Sequence, residues 1–140
     1  MEKVLVDSGH WIGAFYERDN WNKEGKLFLE WFEKQDKNRC QIIITHGILT
    51  EIIARLINKK GFELANKVLN FILESDKIVI YDDSKEFKEE IYDAFRQFKG
   101  FSLVDSEIVV IYLYTKCDKL FSTADEFKRC SGIACFRIPI

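Results

Sequence analysis

The sequence predicts an α/β fold with a mainly parallel central sheet, and three observations predict it. Short apolar runs, most of them containing Val or Ile, recur at residues 3–7, 40–45, 77–81, 119–123 and 133–138. Between them, apolar residues repeat at the spacing of helices. Acidic residues stand at or just past several of these runs, where the strand ends of such a sheet open on a crevice. A strand buried on both faces reads as one continuous apolar run, and the helix between two such strands supplies the crossover.

Residues 3–7 form the first strand, apolar until Asp7, Ser8 and Gly9 end it. Trp11, Ile12, Phe15 and Tyr16 then recur as one helical face, and the polar stretch 17–20 breaks it. Residues 21–35 read as an amphipathic helix with Leu27, Phe28, Trp31 and Phe32 on one stripe. The stripe serves the core or an interface, and core is the usual meaning. Residues 40–45 are the second strand. They lead to a helix over 48–59, which Gly61 ends, and Leu64 to Leu73 mark the next helix. Residues 77–81 are the third strand. Asp83 to Glu86 have the form of a capping box, opening a helix that carries Phe87, Ile91, Phe95 and Phe98 and stops at Gly100. Residues 102–114 are apolar nearly all round, which predicts a deeply buried helix. Residues 119–123 are the fourth strand, 124–130 a short helix and 133–138 the fifth strand.

A chain of 140 residues fits one domain, residues 1–140, and Pro139 is its only proline, so no Pro-rich linker divides it. With 47% hydrophobic and 14% aromatic residues, a full core is available and disorder is excluded. The formal net charge of -2 gives no whole-molecule attraction for nucleic acid, so any such contact is local or goes through metal ions. Cys40, Cys117, Cys130 and Cys135 show no Cys-x2-Cys spacing, and they are read as free thiols. The first residues lack a signal-peptide pattern, and no apolar run is long enough to cross a bilayer. A cytoplasmic location is therefore expected.

Four acids sit at the edges of apolar runs: Asp7, Glu51, Asp105 and Asp125. A carboxylate beside a core is costly without a partner, and several of them suit a hard divalent cation. Each also has a local role available. Asp7 is placed to cap the helix that follows. Glu51 lies four residues before Arg55, ion-pair spacing on a helix. Asp105 is the fourth residue of a Ser102-to-Asp105 capping pattern, and Asp125 is placed to cap the last short helix. Glu107 is a further acid at the start of the same helix as Asp105. The pattern gains weight from position, because Asp7 ends the first strand and Asp125 lies just past the fourth. His10 and His46 are lone histidines, and the structural reading is favoured for both.

Four segments resemble the PIN domains, and among them the VapC-type toxin ribonucleases: residues 4–8 (VLVDS), 49–52 (LTEI), 103–106 (LVDS) and 122–127 (STADEF). The last is the most specific. The resemblance runs from residue 4 to the end of the chain. It implies a three-layer α/β/α fold around a parallel sheet of about five strands. It also implies a metal-dependent endoribonuclease using Mg2+ or Mn2+, with Asp7, Glu51, Asp105 and Asp125 as metal-binding acids and Ser8 and Thr123 as supporting hydroxyls. One departure is Gly9 with His10, where the family more often has a small polar and then an aliphatic residue.

The expected reaction is hydrolysis of a phosphodiester in single-stranded or looped RNA, whose backbone can enter a crevice. Lys23, Lys26, Arg55, Lys59 and Arg129 are candidate rim cations, although scattered charges are usually plain surface. A toxin reading implies a cognate antitoxin protein covering the acids, with an Arg to offer them. A homodimer is expected from the frequency of two-fold symmetry, and no membrane association is expected. The alternative is a catalytically silent PIN-fold module that binds RNA or protein. A phospho-acceptor receiver domain ranks lower. It needs paired acids after the first strand and a Lys after the fifth, where Ser8 and Pro139 stand.

Overall fold

The chain's first apolar run lies at the middle of its sheet. In the computed structural model, which describes residues 1–82 and 85–139, five strands pair in the order β3-β2-β1-β4-β5. They are β1 (Glu2–Val6), β2 (Cys40–Thr45), β3 (Ile78–Tyr81), β4 (Lys119–Phe121) and β5 (Cys135–Phe136). Every pairing is parallel, and Leu5 faces Ile43 on one side and Leu120 on the other. The helices are α1 (Ser8–Phe15), α2 (Asn22–Glu33), α3 (His46–Lys60), α4 (Phe62–Glu74), α5 (Lys88–Gln97) and α6 (Leu103–Thr115). Together they make the expected α/β/α arrangement.

Strand order turns back at β1. The chain runs outward from β1 to β2 and β3, then returns to place β4 on the other side of β1. The carboxyl ends of β1 and β4 therefore flank the switch point, where open α/β sheets bind ligands. The backbone N–H of Asp7 donates to the carbonyl of Phe121 at 2.9 Å and ties the two ends together.

Aromatic residues fill the layer between this part of the sheet and α1 and α2. Trp11 and Phe28 are fully buried and meet edge to face at 4.8 Å, and Trp31 meets Phe121 at 5.0 Å. The stripe on α2 is therefore core, and Leu27 alone of its residues is exposed. Close helix contact requires two glycines. A Cβ on Gly25 would strike the backbone of Ala14, and one on Gly13 would strike the carbonyl of Trp21.

Several boundaries differ from expectation. The capping box at residues 83–86 includes Asp83 and Ser84, which lie outside the described residues, and α5 begins at Lys88. Helix α6 is not buried all round: Leu103, Leu113 and Tyr114 are each about half exposed, while Ile108 and Ile111 are fully covered. One face packs on the sheet side and the other is open, so its apolar outer residues are not explained by core packing. Strand β4 stops at Phe121; Ser122 still donates its N–H to the carbonyl of Phe136 at 3.0 Å, while its hydroxyl donates to Asp7 and accepts from the N–H of Ala124. The short helix after it is a 3-10 turn, Asp125–Arg129. Strand β5 is only two residues long and sits at the sheet edge, followed closely by Pro139, which has no N–H to donate. Among the described residues, no helix is long and apolar enough to cross a membrane.

Candidate active site

Asp7 is the pivot of the site. It is the first residue past β1 and caps α1, with its Oδ1 accepting from the N–H of Ser8 at 2.7 Å. Its Oδ2 accepts from the hydroxyl of Ser122 at 2.8 Å. The side chain is 8% exposed. Burial pushes its carboxyl up from 3.8 to about 6. The hydrogen bonds from Ser122 and Ser8 pull the other way, and the negative charges of Glu51 and Asp105 add to the rise. That charge coupling links three elements: the β1–α1 junction, α3 and α6.

Ser8 bridges two of the acids. Its N–H holds Asp7, and its hydroxyl donates to Oε1 of Glu51 at 2.7 Å. Glu51 also pairs with Arg55 at 3.6 Å, the helix pair that the spacing allowed. Asp105 is held at the start of α6 by a reciprocal capping box. Its N–H donates to the Ser102 hydroxyl, and its Oδ2 accepts from the Ser102 N–H, both at 3.0 Å. Each of these three residues makes the local contact that its position in the sequence allowed. A carboxylate oxygen that accepts one hydrogen bond keeps a further lone pair.

Asp125 is placed differently. It lies on the exposed 3-10 turn and pairs with Arg137 at 2.8 Å and Lys128 at 3.4 Å. Desolvation works against ionisation, but the charges and hydrogen bonds of Arg137 and Lys128 together outweigh it and hold the carboxyl below the usual range. Its charge is already answered by cations. Arg137 is fixed in turn, with its guanidinium over the ring of Trp21 and its carbonyl accepting from Nε2 of His10. Nothing in the sequence near Asp125 announced this partner, which lies twelve residues on along an irregular edge.

Of the two hydroxyl residues after β4, Ser122 holds Asp7. Thr123 packs on α1, where its Oγ1 lies 2.7 Å from where a Cβ of Gly9 would stand. This accounts for the glycine after Ser8: any side chain there would displace Thr123. His10 is fully buried between Phe28 and Phe121, and burial lowers its pKa, so it is a neutral core residue. Glu107 joins α6 to α3: its Oε1 accepts from the N–H of Gly47 at the start of α3, at 3.2 Å. All four cysteines are free thiols, and burial raises the pKa of each.

The donor set of Asp7, Glu51 and Asp105 is chemically suited to a hard divalent cation, which would offset the cost of burying the Asp7 charge and the smaller repulsion from its two neighbours. Among the described residues, however, no three His, Cys, Asp or Glu side chains are gathered closely enough to enclose an ion by themselves. Mg2+ does not require such a cage, because it keeps several waters and takes one or two carboxylates together with substrate phosphates.

No protein-family model matches the chain, and no curated protein sequence matches it. Solved structures do. VapC20 of Mycobacterium tuberculosis, described as a sarcin-ricin loop cleaving toxin, superposes with a TM-score of 0.78 at 13% identity, covering 91% of this chain and 95% of that one. VapBC2 of Rickettsia felis, solved with a DNA fragment from its promoter, gives 0.65 at 15% identity, covering 96% and 97%. FitAcB of Neisseria gonorrhoeae gives 0.64 at 12% identity, covering 96% of each chain. The likeness spans nearly the whole length in all three cases, and it shows that this chain has the fold of a VapC-like PIN domain.

Proposed function

We propose that this chain is a metal-dependent endoribonuclease, hydrolysing phosphodiester bonds in single-stranded or looped RNA, and that it is the toxin of a toxin–antitoxin pair. The observation that carries the reading is Asp7, a buried carboxylate at the switch point of the sheet, held on both oxygens and coupled to two further acids. Ionising it there is costly, and a carboxylate perturbed by burial together with neighbouring charges is a candidate functional group. The likeness to a toxin described as cleaving the sarcin-ricin loop supports the same reaction class.

In this reading Asp7, Glu51 and Asp105 hold Mg2+ or Mn2+, which supplies Lewis-acid activation and positive charge at the scissile phosphate. Ser8 and Ser122 fix the orientation of Asp7, and Ser8 also fixes Glu51. Arg55, paired with Glu51, offers a guanidinium to the entering backbone. Asp125, expected as a fourth ligand, stays outside the set while Arg137 and Lys128 hold it. An antitoxin would cover the acids and bring its own cation to them.

The test is cleavage of labelled RNA in Mg2+ or Mn2+ by the wild type and by Asp7→Asn and Asp105→Asn. Removing one carboxylate from a site of three is expected to lower the rate at least a hundredfold. Full activity in both variants defeats the assignment. The pairing of Asp125 favours one second reading, the silent module that binds RNA or protein, and Mn2+ binding without RNA turnover would select it.

A further inference from the structure

Next to the acids lies a cavity that the reaction does not use. It has a volume of about 190 Å³ and is walled by Ile91 of α5 with Leu103 and Val104 of α6. Tyr92, Glu107 and Lys88 bring polar groups to it. It is smaller than the roughly 300–1,000 Å³ of sites for drug-sized ligands, which suits one planar ring system. It adjoins the acids on two elements. Val104 precedes Asp105 in α6, and Gly47, also in the wall, lies one helical turn before Glu51 in α3.

We infer that this cavity is a nucleobase subsite selecting guanine in the RNA beside the bond that the acids address. The inference rests on the endoribonuclease reading above and names its substrate preference. Single-stranded RNA is recognised through splayed bases that stack on apolar and aromatic surfaces and present their Watson–Crick edges. Here the apolar walls and Tyr92 supply the surface, and Lys88 supplies a cation for the neighbouring phosphate. Glu107 supplies the reading group. It is an acceptor-only carboxylate, held by the Gly47 N–H at 3.2 Å. Residue 47 is glycine, and a Cβ there would lie 2.5 Å from Oε1 of Glu107, so a side chain at this position would shift the carboxylate.

A fixed carboxylate discriminates among bases by counting donors. Guanine offers adjacent N1–H and N2–H groups. Adenine and cytosine offer one amino group each, and uracil offers a single N3–H between two repelling carbonyls. A carboxylate facing RNA is penalised by the phosphates, so it gains only where a base returns paired donors. An apolar peptide side chain would fill the walls but leave the carboxylate unmet, so a base is the better occupant.

The experiment walks a single guanine through short uracil-rich RNAs and measures kcat/KM at each site. It repeats the best substrate with inosine, which lacks the N2 amino group. The wild type is expected to prefer guanine about tenfold or more over the other bases at one position beside the cut, in line with a good bidentate pair. Inosine should lose most of that preference. Glu107→Gln keeps an acceptor for Gly47 but turns a donor toward the base, so its kcat/KM on the guanine substrate should fall to the level of the other bases. Gly47→Ala, which displaces Glu107, should do the same. The inosine arm needs no variant, so it decides the matter even if both variants fold poorly.

Cleavage with one base ranking in wild type and variants, and no inosine effect, overturns the subsite and leaves the nuclease reading standing. A cavity that serves a protein partner would give that same unchanged ranking. No cleavage by the wild type, together with no binding of these RNAs by Asp7→Asn in Mg2+, overturns the subsite and the nuclease reading together.

Discussion

Asp7 sets a pH dependence that can be worked out from its surroundings. Its carboxyl is raised from 3.8 in the ordinary state to about 6 in the fold, first by burial and then by Glu51 and Asp105. Between those values the folded chain holds a proton that the unfolded chain has released. Stability therefore falls as pH rises through that window, by about 3 kcal/mol in total, and the loss persists above pH 6. Asp7→Asn keeps the shape and an acceptor for the N–H of Ser8 but carries no charge. Without added metal at pH 7.5, the variant is expected to melt at a higher temperature than the wild type. The gap should open between about pH 4 and 6. Thermal melts across that range check it, and a less stable variant at pH 7.5 would show that Asp7 is not the strained group described. The identity of this residue was legible because it ends an apolar run. Its partner Ser122 was visible only as the first residue of the 122–127 segment, and Arg137 was not legible at all, since its pairing with Asp125 depends on how an irregular edge folds back.

At the scale of elements, the helices were easier to read than the short strands. Helices α3 and α6 carry their signals locally, in Thr45 accepting from the N–H of Ile48 and in the Ser102–Asp105 box. The last strands do not. Pairing, not propensity, decides where β4 and β5 end, and Ser122 serves two partners there, its N–H donating to the carbonyl of Phe136 and its hydroxyl to Asp7. The contact between α1 and α2 is a further feature hidden from periodicity, because it depends on glycines inside helices, where propensity disfavours them. Gly25→Ala should improve intrinsic helix propensity and yet destabilise the protein by about 1–3 kcal/mol, because the new methyl meets the backbone of Ala14. Urea unfolding measures it. A variant as stable as the wild type would mean that the two helices can separate at little cost.

At the scale of the whole molecule, the proposed site is a product of topology. Asp7, Glu51 and Asp105 are far apart in sequence, and the return of the chain from β3 to β4 across β1 brings their elements to one end of the sheet. That arrangement was legible as an expectation from the alternation of strands and helices, whereas the placing of Asp125 was not. An ion bound between three separate elements binds the folded chain and not the unfolded one, so it stabilises the fold by mass action. Mn2+ at a hundred times its dissociation constant is expected to add about 2.7 kcal/mol at pH 7.5, read as a rise in melting temperature. Asp7→Asn and Glu51→Gln should each lose most of that rise. Asp125→Asn separates a site of three acids from a site of four. Its carboxylate is answered by Arg137 and Lys128 rather than by repulsion from the cluster. The variant should therefore keep the rise, and losing it would mean that the ion draws Asp125 away from both cations and into the site.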